Sequence, residues 1–269
     1  MKHAISNIAL TAYRHADELS RLAALGLDGI EVAPSRVWEN TWDGLDAVQV
    51  STYRRQVESA GLEVVGLHSL LFDHPELELF GDRDHRDRLL EFFVHLSAVC
   101  RDLGGRTLIW GGGRRRGKVP MEEAIDRAID FFTVLADRID GHGTCFCIEP
   151  LGHNDTDFIH SVLESKRIVE AVGRPGLKVQ IDAKALVAGE ELALETFRAV
   201  AGDLVHYHAN EPGFGVLGSS GKIDHHAAGK FLMEIGYVGY ASIEQKMIGE
   251  ENPLGAIGKS VSLLKEAYG

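Results

Sequence analysis

Four short, mostly apolar runs in this chain each end on a side chain that can ligate a metal. TCFCIE ends on Glu149, KVQID on Asp182, LVHYH on His208 and YASIE on Glu244. They recur roughly 30 residues apart, the length of one strand plus one helix in a barrel of about 250 residues. If each run is the strand of a strand–helix unit, four consecutive units deliver one ligand each to the same rim. Three carboxylates and one imidazole make a hard, mostly oxygen donor set. Such a set suits Mn²⁺, Mg²⁺ or Co²⁺ better than a structural zinc.

The rest of the sequence follows the same plan. Strand-like runs fall at 3–8, 29–33, 63–68, 107–110, 144–149, 178–182, 204–208 and 240–244. Helix-like stretches separate them, among them 17–25, 83–103, 121–139 and 162–172, and a last helix is expected near 254–268. Eight strands, each followed by a helix, predict a single (β/α)8 TIM barrel over residues 1–269. A doubly wound open sheet shares the alternation, but it places its site at a topological switch rather than on four successive strands. Gly26, Gly61, Gly104 and Gly173 read as helix stops, Pro120 as a helix start and Asp224 as an N-cap. The long irregular segments 34–46, 72–82, 111–119 and 210–222 all follow strands, so they should build the C-terminal rim.

Side-chain alternation along a strand gives a second line of argument. If Asp182, His208 and Glu244 point into the barrel, so do Gln180, His206 and Ser242, while Val179, Ile181, Val205, Tyr207 and Ile243 face the helices. A polar interior follows, where an ordinary barrel packs Val, Ile and Leu.

Composition narrows the function. A net charge of −12 argues against gripping a nucleic acid backbone or an anionic membrane surface. No apolar run reaches the roughly 20 residues of a membrane span, and MKHAISNIAL lacks the pattern of a signal peptide. Three cysteines without a framework suggest a reducing, cytoplasmic setting, with Cys145 and Cys147 sharing one strand face as packed core thiols.

The segments IEPLGHND, QIDAKAL, HYHANEPG and SIEQK, with NIAL, GIEVAP and GLHS earlier, resemble the xylose isomerase-like barrels. The resemblance spans essentially the whole chain. It points to the sugar phosphate isomerase/epimerase group, which includes ketose 3-epimerases, hydroxypyruvate isomerases and inosose dehydratases. It implies one divalent ion per chain, Mn²⁺ first and Mg²⁺, Co²⁺ or Zn²⁺ as alternatives, held by Glu149, Asp182, His208 and Glu244. It also implies that Glu149 and Glu244 are the catalytic acid/base pair, that His68 stands at the pocket wall, and that the chain forms dimers or tetramers. The substrate implied is a sugar, a sugar phosphate or a small hydroxy-keto acid, isomerised or epimerised next to its carbonyl. An inosose-type dehydratase, or a barrel that binds metal and sugar without turnover, would use the same ligands. An apurinic endonuclease shares the barrel, but the acidic charge and Ala185, where a histidine ligand would be wanted, speak against it.

Ala185 also departs from several 3-epimerases, which carry a substrate-binding histidine there. The arginine that commonly follows the strand-seven histidine is missing from the loop 210–214. Trp110, Lys184, Glu211 and Lys246 are expected at the substrate. Lys184 and Lys246 lie two residues beyond a ligand, and Arg114, Arg115 and Arg116 could lean over the same rim. Together these cations suggest a substrate bearing a carboxylate or phosphate. Trp38 and Trp42 read as pocket wall or oligomer contact.

Overall fold

A computed structural model describes residues 1–249 and 253–269. Eight parallel strands close on themselves in sequence order, with β1 paired to both β2 and β8. The strands are β1 (Lys2–Ser6), β2 (Gly29–Val32), β3 (Glu63–Leu67), β4 (Thr107–Trp110), β5 (Cys145–Ile148), β6 (Leu177–Asp182), β7 (Leu204–Asn210) and β8 (Tyr240–Glu244). The helices outside them are α1 (Ala16–Ala24), α2 (Ala47–Ser59), α3 (Arg83–Leu103), α4 (Met121–Arg138), α5 (Val162–Val172), α6 (Ala183–Ala188), α7 (Leu194–Val200), α8 (His225–Glu234) and α9 (Pro253–Tyr268). The expected (β/α)8 barrel is the observed fold. Among the described residues, no helix is long and apolar enough to cross a membrane.

Local chemistry explains most boundaries. Asp46 and Ser161 cap α2 and α5 with reciprocal boxes, each closed by Gln49 or Glu164 three residues on. The first strand stops at Ser6, short of the expected residue 8. The Ser6 hydroxyl accepts the Ile8 N–H at 3.1 Å and turns Asn7–Ala9 into a 3-10 turn. On β6 the boundary is itself functional. Asp182 is both the last strand residue and the N-cap of α6, its Oδ1 accepting from Ala185 N at 2.7 Å.

The apolar core is a shell between strands and helices. Phe146 of β5 meets Phe93 of α3 with ring centroids 4.8 Å apart, and Trp110 of β4 meets Phe132 of α4 at 4.9 Å. Val179, Ile181, Tyr207 and Ile243 are wholly buried in this shell. The alternate positions Glu31, Gln180, His206 and Ser242 are equally buried but lie inside the barrel. The polar interior expected from strand parity is therefore present. Register aligns it in layers, with Gln180 opposite His206, Asp182 opposite His208, His208 opposite Ser242 and Asn210 opposite Glu244.

Closure demands a close approach at β3. A Cβ on Gly66 would sit 2.1 Å from the backbone carbonyl oxygen of Thr107 on β4, and a backbone atom cannot step aside cheaply. Gly66→Ala should therefore part the β3–β4 seam and cost about 1–3 kcal/mol. That amounts to a fall in melting temperature of several degrees for a domain of this size. Thermal unfolding followed by circular dichroism tests it, and an unchanged midpoint would show that the seam is slack.

Candidate metal centre

The ends of β5, β6, β7 and β8 bring Glu149, Asp182, His208 and Glu244 together at the C-terminal mouth, every ligand atom within 4.8 Å of the others. The His208 Nδ1 lies 3.0 Å from Glu149 Oε1, 3.6 Å from Glu244 Oε2 and 3.9 Å from Asp182 Oδ2. All four side chains are buried. Each is held by something else. Asp182 spends Oδ1 on its helix cap, which aims Oδ2 at the centre. The Asn210 amide, two residues beyond His208 on the same face, donates to both Asp182 Oδ2 and Glu244 Oε2. Glu149 extends over Gly111, where a Cβ would lie 2.0 Å from its Oε2. A side chain at 111 would push this ligand out of the cluster.

Beneath the centre lies Glu31 of β2, wholly buried. Its carboxylate receives His208 Nε2 at 3.0 Å and the Ser242 hydroxyl at 2.9 Å. His206 Nε2 stands 3.1 Å away but poorly aligned for a hydrogen bond. Carboxylate contact at Nε2 directs the other nitrogen, Nδ1, toward the centre, the arrangement that orients ligating histidines generally. A buried Glu inside the apolar run GIEV was the sequence signal for this residue, and Asn210 was available from strand parity.

The charges respond to one another. Burial alone would lower the His208 pKa. The carboxylates of Glu31 and Glu244, with the hydrogen bonds His208 donates to Glu149 and Glu31, outweigh burial and raise it well above the usual range. Glu31 is held well below the carboxylate range, because His208, His206 and His68 overcome its burial. Asp182 is pushed up to about 8 by burial and by the like charges of Glu149 and Glu244. Glu244 falls to about 2, because His208, His68 and the Asn210 amide outweigh its burial. Excess negative charge and an imidazole aimed at it are what a divalent cation requires, so the residues present fit one.

The cluster opens on a cavity of about 210 Å³, lined by His68, Ser69, Gly111, Asp155, Lys184 and Phe214 among others. A larger cavity of about 1060 Å³ lies at the opposite, N-terminal mouth and contains none of the four ligands. Barrel chemistry belongs to the C-terminal end, so the small cavity is the candidate site. His68 is where it was expected. Its Nδ1 lies 3.6 Å from Glu244 Oε1, and its Nε2 is hydrogen-bonded to Ser6 Oγ. Lys184 also reaches the cavity, paired with Asp155 at 3.3 Å and lying 4.6 Å from the Phe214 ring centroid. Ser69 and Phe214 hold left-handed backbone at φ 52° and 55°. Such strain persists only where the surroundings over-determine it, as at functional sites.

Three expected substrate contacts do not reach the cavity. Trp110 is 1% exposed and faces α4, because its neighbours Ile109 and Gly111 take the inward parity. Glu211 is wholly buried in its own loop, accepting from Gly218 N and Ser220 Oγ and facing His225 Nε2 at 2.9 Å. Lys246 is exposed, because strand geometry ends at Glu244. Only its backbone N–H contributes here, to the Phe214 carbonyl. The arginine run is no anion clamp. Arg114 turns inward and is buried, while Arg115 and Arg116 tie down the segment 154–157 through backbone carbonyls. Trp38 packs on Tyr53, and Trp42 on Phe92 and His74. Neither tryptophan lines the cavity.

A closed (β/α)8 barrel with an acid-rich ligand set on strands five to eight defines the class. The chain belongs to the xylose isomerase-like TIM barrel family, whose pattern it matches over residues 19–267. It is 25% identical over 260 residues to a D-psicose 3-epimerase of Agrobacterium fabrum, covering 93% of this chain and 84% of that protein. The D-psicose 3-epimerase of Clostridium cellulolyticum H10, solved with D-tagatose, superposes with a TM-score of 0.81 at 19% identity over 99% of this chain and 98% of that one. A 3-keto-D-glucoside 4-epimerase from E. coli superposes at 0.79 and 18% identity over 99% of both.

Two predictions follow from the electrostatics. A cation entering the cluster must displace the Nδ1 proton of His208 and the proton Asp182 holds below about pH 8. Metal affinity should therefore rise with pH across the neutral range. Adding Mn²⁺ at pH 7 should release protons to an indicator dye in weak buffer, and pH-independent affinity between about 6 and 8 would contradict this. Glu31→Gln removes the charge behind His208 and should weaken Mn²⁺ binding by about 10–100-fold with the fold intact. An unchanged dissociation constant would leave Glu31 without a role in binding.

Proposed function

We propose that this chain is a divalent-metal-dependent epimerase or isomerase of an uncharged ketose, moving a proton at a carbon next to the carbonyl. The observation that carries the reading is the meeting of Glu149 and Glu244, from strands three apart in the ring, beside Asp182 and His208 in one small buried cavity. Glu149, Asp182, His208 and Glu244 would hold the ion. Their oxygen-rich set favours Mn²⁺ or Mg²⁺, with Co²⁺ and Zn²⁺ as alternatives. When bound, the ion supplies positive charge against the negative charge that develops on the substrate's carbonyl and hydroxyl oxygens.

The chain's own groups do the rest. One of Glu149 and Glu244, as carboxylate, takes the proton, and the other, as carboxylic acid and reaching the carbon from a different strand, delivers its own proton to the opposite face; both protonation states reset by exchange with solvent. Return by the same carboxylate to the neighbouring carbon gives isomerisation instead. His68, beside Glu244 Oε1, orients that carboxylate. Leu151, Ile109 and the Phe214 ring restrict water, and a cavity of about 210 Å³ admits one small substrate rather than a drug-sized ligand.

Charge bears on the substrate. The sequence suggested an anionic one, on the strength of Lys184. In the structure Lys184 is already satisfied by Asp155. Glu149, Asp182, Glu244 and Asp155 against Lys184 and a divalent ion leave the cavity slightly negative, which disfavours a phosphate or carboxylate. The epimerase relatives differ in the carbon they are named for, so they support the proton-transfer chemistry more than any one position.

The test is metal-dependent uptake of solvent deuterium, read by mass spectrometry. The panel holds neutral ketoses, their phosphates, hydroxypyruvate and inososes. Exchange should appear with a neutral ketose and fall at least 100-fold in Glu149→Gln and Glu244→Gln. Exchange with loss of water would identify a dehydratase. Bound metal without exchange into any compound would sink the proposal.

A further inference from the structure

Arg114 is a buried cation near the site whose chemistry the proposed reaction does not use. It leaves β4 four residues after Trp110, and its side chain turns back under the rim, where it is 1% exposed. A guanidinium has five N–H donors in a rigid fork. Here the fork grips backbone only. Nη1 donates to the Trp110 carbonyl at 2.6 Å, and Nε to Phe158 at 3.0 Å. Nη2 donates to both the Glu149 carbonyl and Ile159, the latter at 3.2 Å. The guanidinium carbon stands 5.0 Å from the Trp110 ring centroid. Among the described residues, no carboxylate makes a hydrogen bond or ion pair with it.

Burying a cation without a paired anion is costly, and apolar residues of similar volume often replace buried charges without loss of stability. Burial brings its pKa down to about 10, which leaves it charged at neutral pH. The expense falls at a telling place. Glu149 is the first residue past β5, and Pro150 behind it offers no N–H and restricts Glu149 to extended backbone. Arg114 takes the carbonyl of that same residue. Ile159, which the fork also holds, has φ 64°, a strained value for a β-branched side chain. Its carbonyl also accepts Leu151 N at 3.3 Å. The loop closed in this way carries Leu151 and Asp155, both walls of the cavity.

We propose that Arg114 is a positioning residue for the metal centre. Its fork fixes the peptide of the ligand Glu149 and, through Phe158 and Ile159, the loop bearing Leu151 and Asp155, so that ligand and pocket wall keep one geometry. The inference rests on Glu149 being a metal ligand.

The test compares Arg114→Lys and Arg114→Met with Leu22→Ala, a cavity in the buried face of α1 far from the rim, as the control for general destabilisation. Each protein is loaded with Co²⁺, whose visible d–d bands report ligand geometry without any substrate. Both Arg114 variants should shift those bands and weaken Co²⁺ binding by about 10-fold or more. Leu22→Ala should lose thermal stability yet keep the wild-type spectrum and affinity. If Arg114→Met does not fold, Arg114→Lys, which keeps the charge and loses the fork, decides alone. Wild-type bands and affinity in the Arg114 variants would overturn the proposal and leave the metal site standing. Failure of the wild type to bind Co²⁺ would overturn both.

Discussion

Three carboxylates cannot sit buried within 3.9 Å of one imidazole nitrogen unless something cancels their repulsion. The rest of this molecule is arranged around that constraint. The protein supplies partial cancellation through His208, wedged between Glu31 below and Glu149 above. It supplies more through the Asn210 amide, shared by Asp182 and Glu244. The residue left over appears as opposed shifts in neighbouring acids, Asp182 up to about 8 and Glu244 down to about 2. Two carboxyls a few ångströms apart hold their protons differently because one faces like charges and the other faces His208 and His68. A divalent cation would complete what Asn210 and His208 begin.

That arrangement depends on the barrel. Asp182 lies opposite His208, and Asn210 opposite Glu244, by strand register alone. A one-residue slip would send every ligand to the helix side. Closure spares the sheet any exposed edge, and it places Glu31 of β2 under ligands carried by β5 to β8. The close contact at Gly66 and the polar interior layer both belong to this geometry. The clustered side chains sit at strand ends fixed by register, while the rim above them is built from loops.

The fold and the meeting of Glu149, Asp182, His208 and Glu244 were legible because both depend on local periodicity. Strand runs, helix stops and alternation do not need long-range information, and the interior side chains Gln180, His206 and Ser242 followed from parity. Legibility failed where strand geometry stops. Lys246 was placed by extending β8 past Glu244, and Glu211 by its nearness to His208. Glu211 lies in a loop whose path depends on a 3-10 turn at Pro212–Phe214 and on the buried His225, and Lys246, past the end of β8, is tied to that turn through its N–H to the Phe214 carbonyl. Trp110 was misplaced by one residue of parity. Arg114 read as a rim cation because nothing in GGGRRRG announces four waiting carbonyls. Glu31 carried a signal, a lone acid within GIEV, but its partner His208 lies far away in sequence.

The division between strand-end wall and loop-built rim also bears on specificity. Residue 185 is a buried alanine whose N–H donates to the Asp182 carboxylate that caps α6. The loop after β7 offers Phe214, held at φ 55° by its carbonyl's bond to Lys246 N and its own N–H to the Glu211 carbonyl. Lys184 lies against that ring and against Asp155, so the cation at the rim is neutralised in place. The lip of the cavity thus presents an aromatic face and an internal ion pair above the clustered Glu149, Asp182, His208 and Glu244. Sugars present one apolar face and one hydroxylated face. A pocket with a metal and carboxylates on its floor and an aromatic ring at its lip can bind both, and it needs no charge on the substrate to do so.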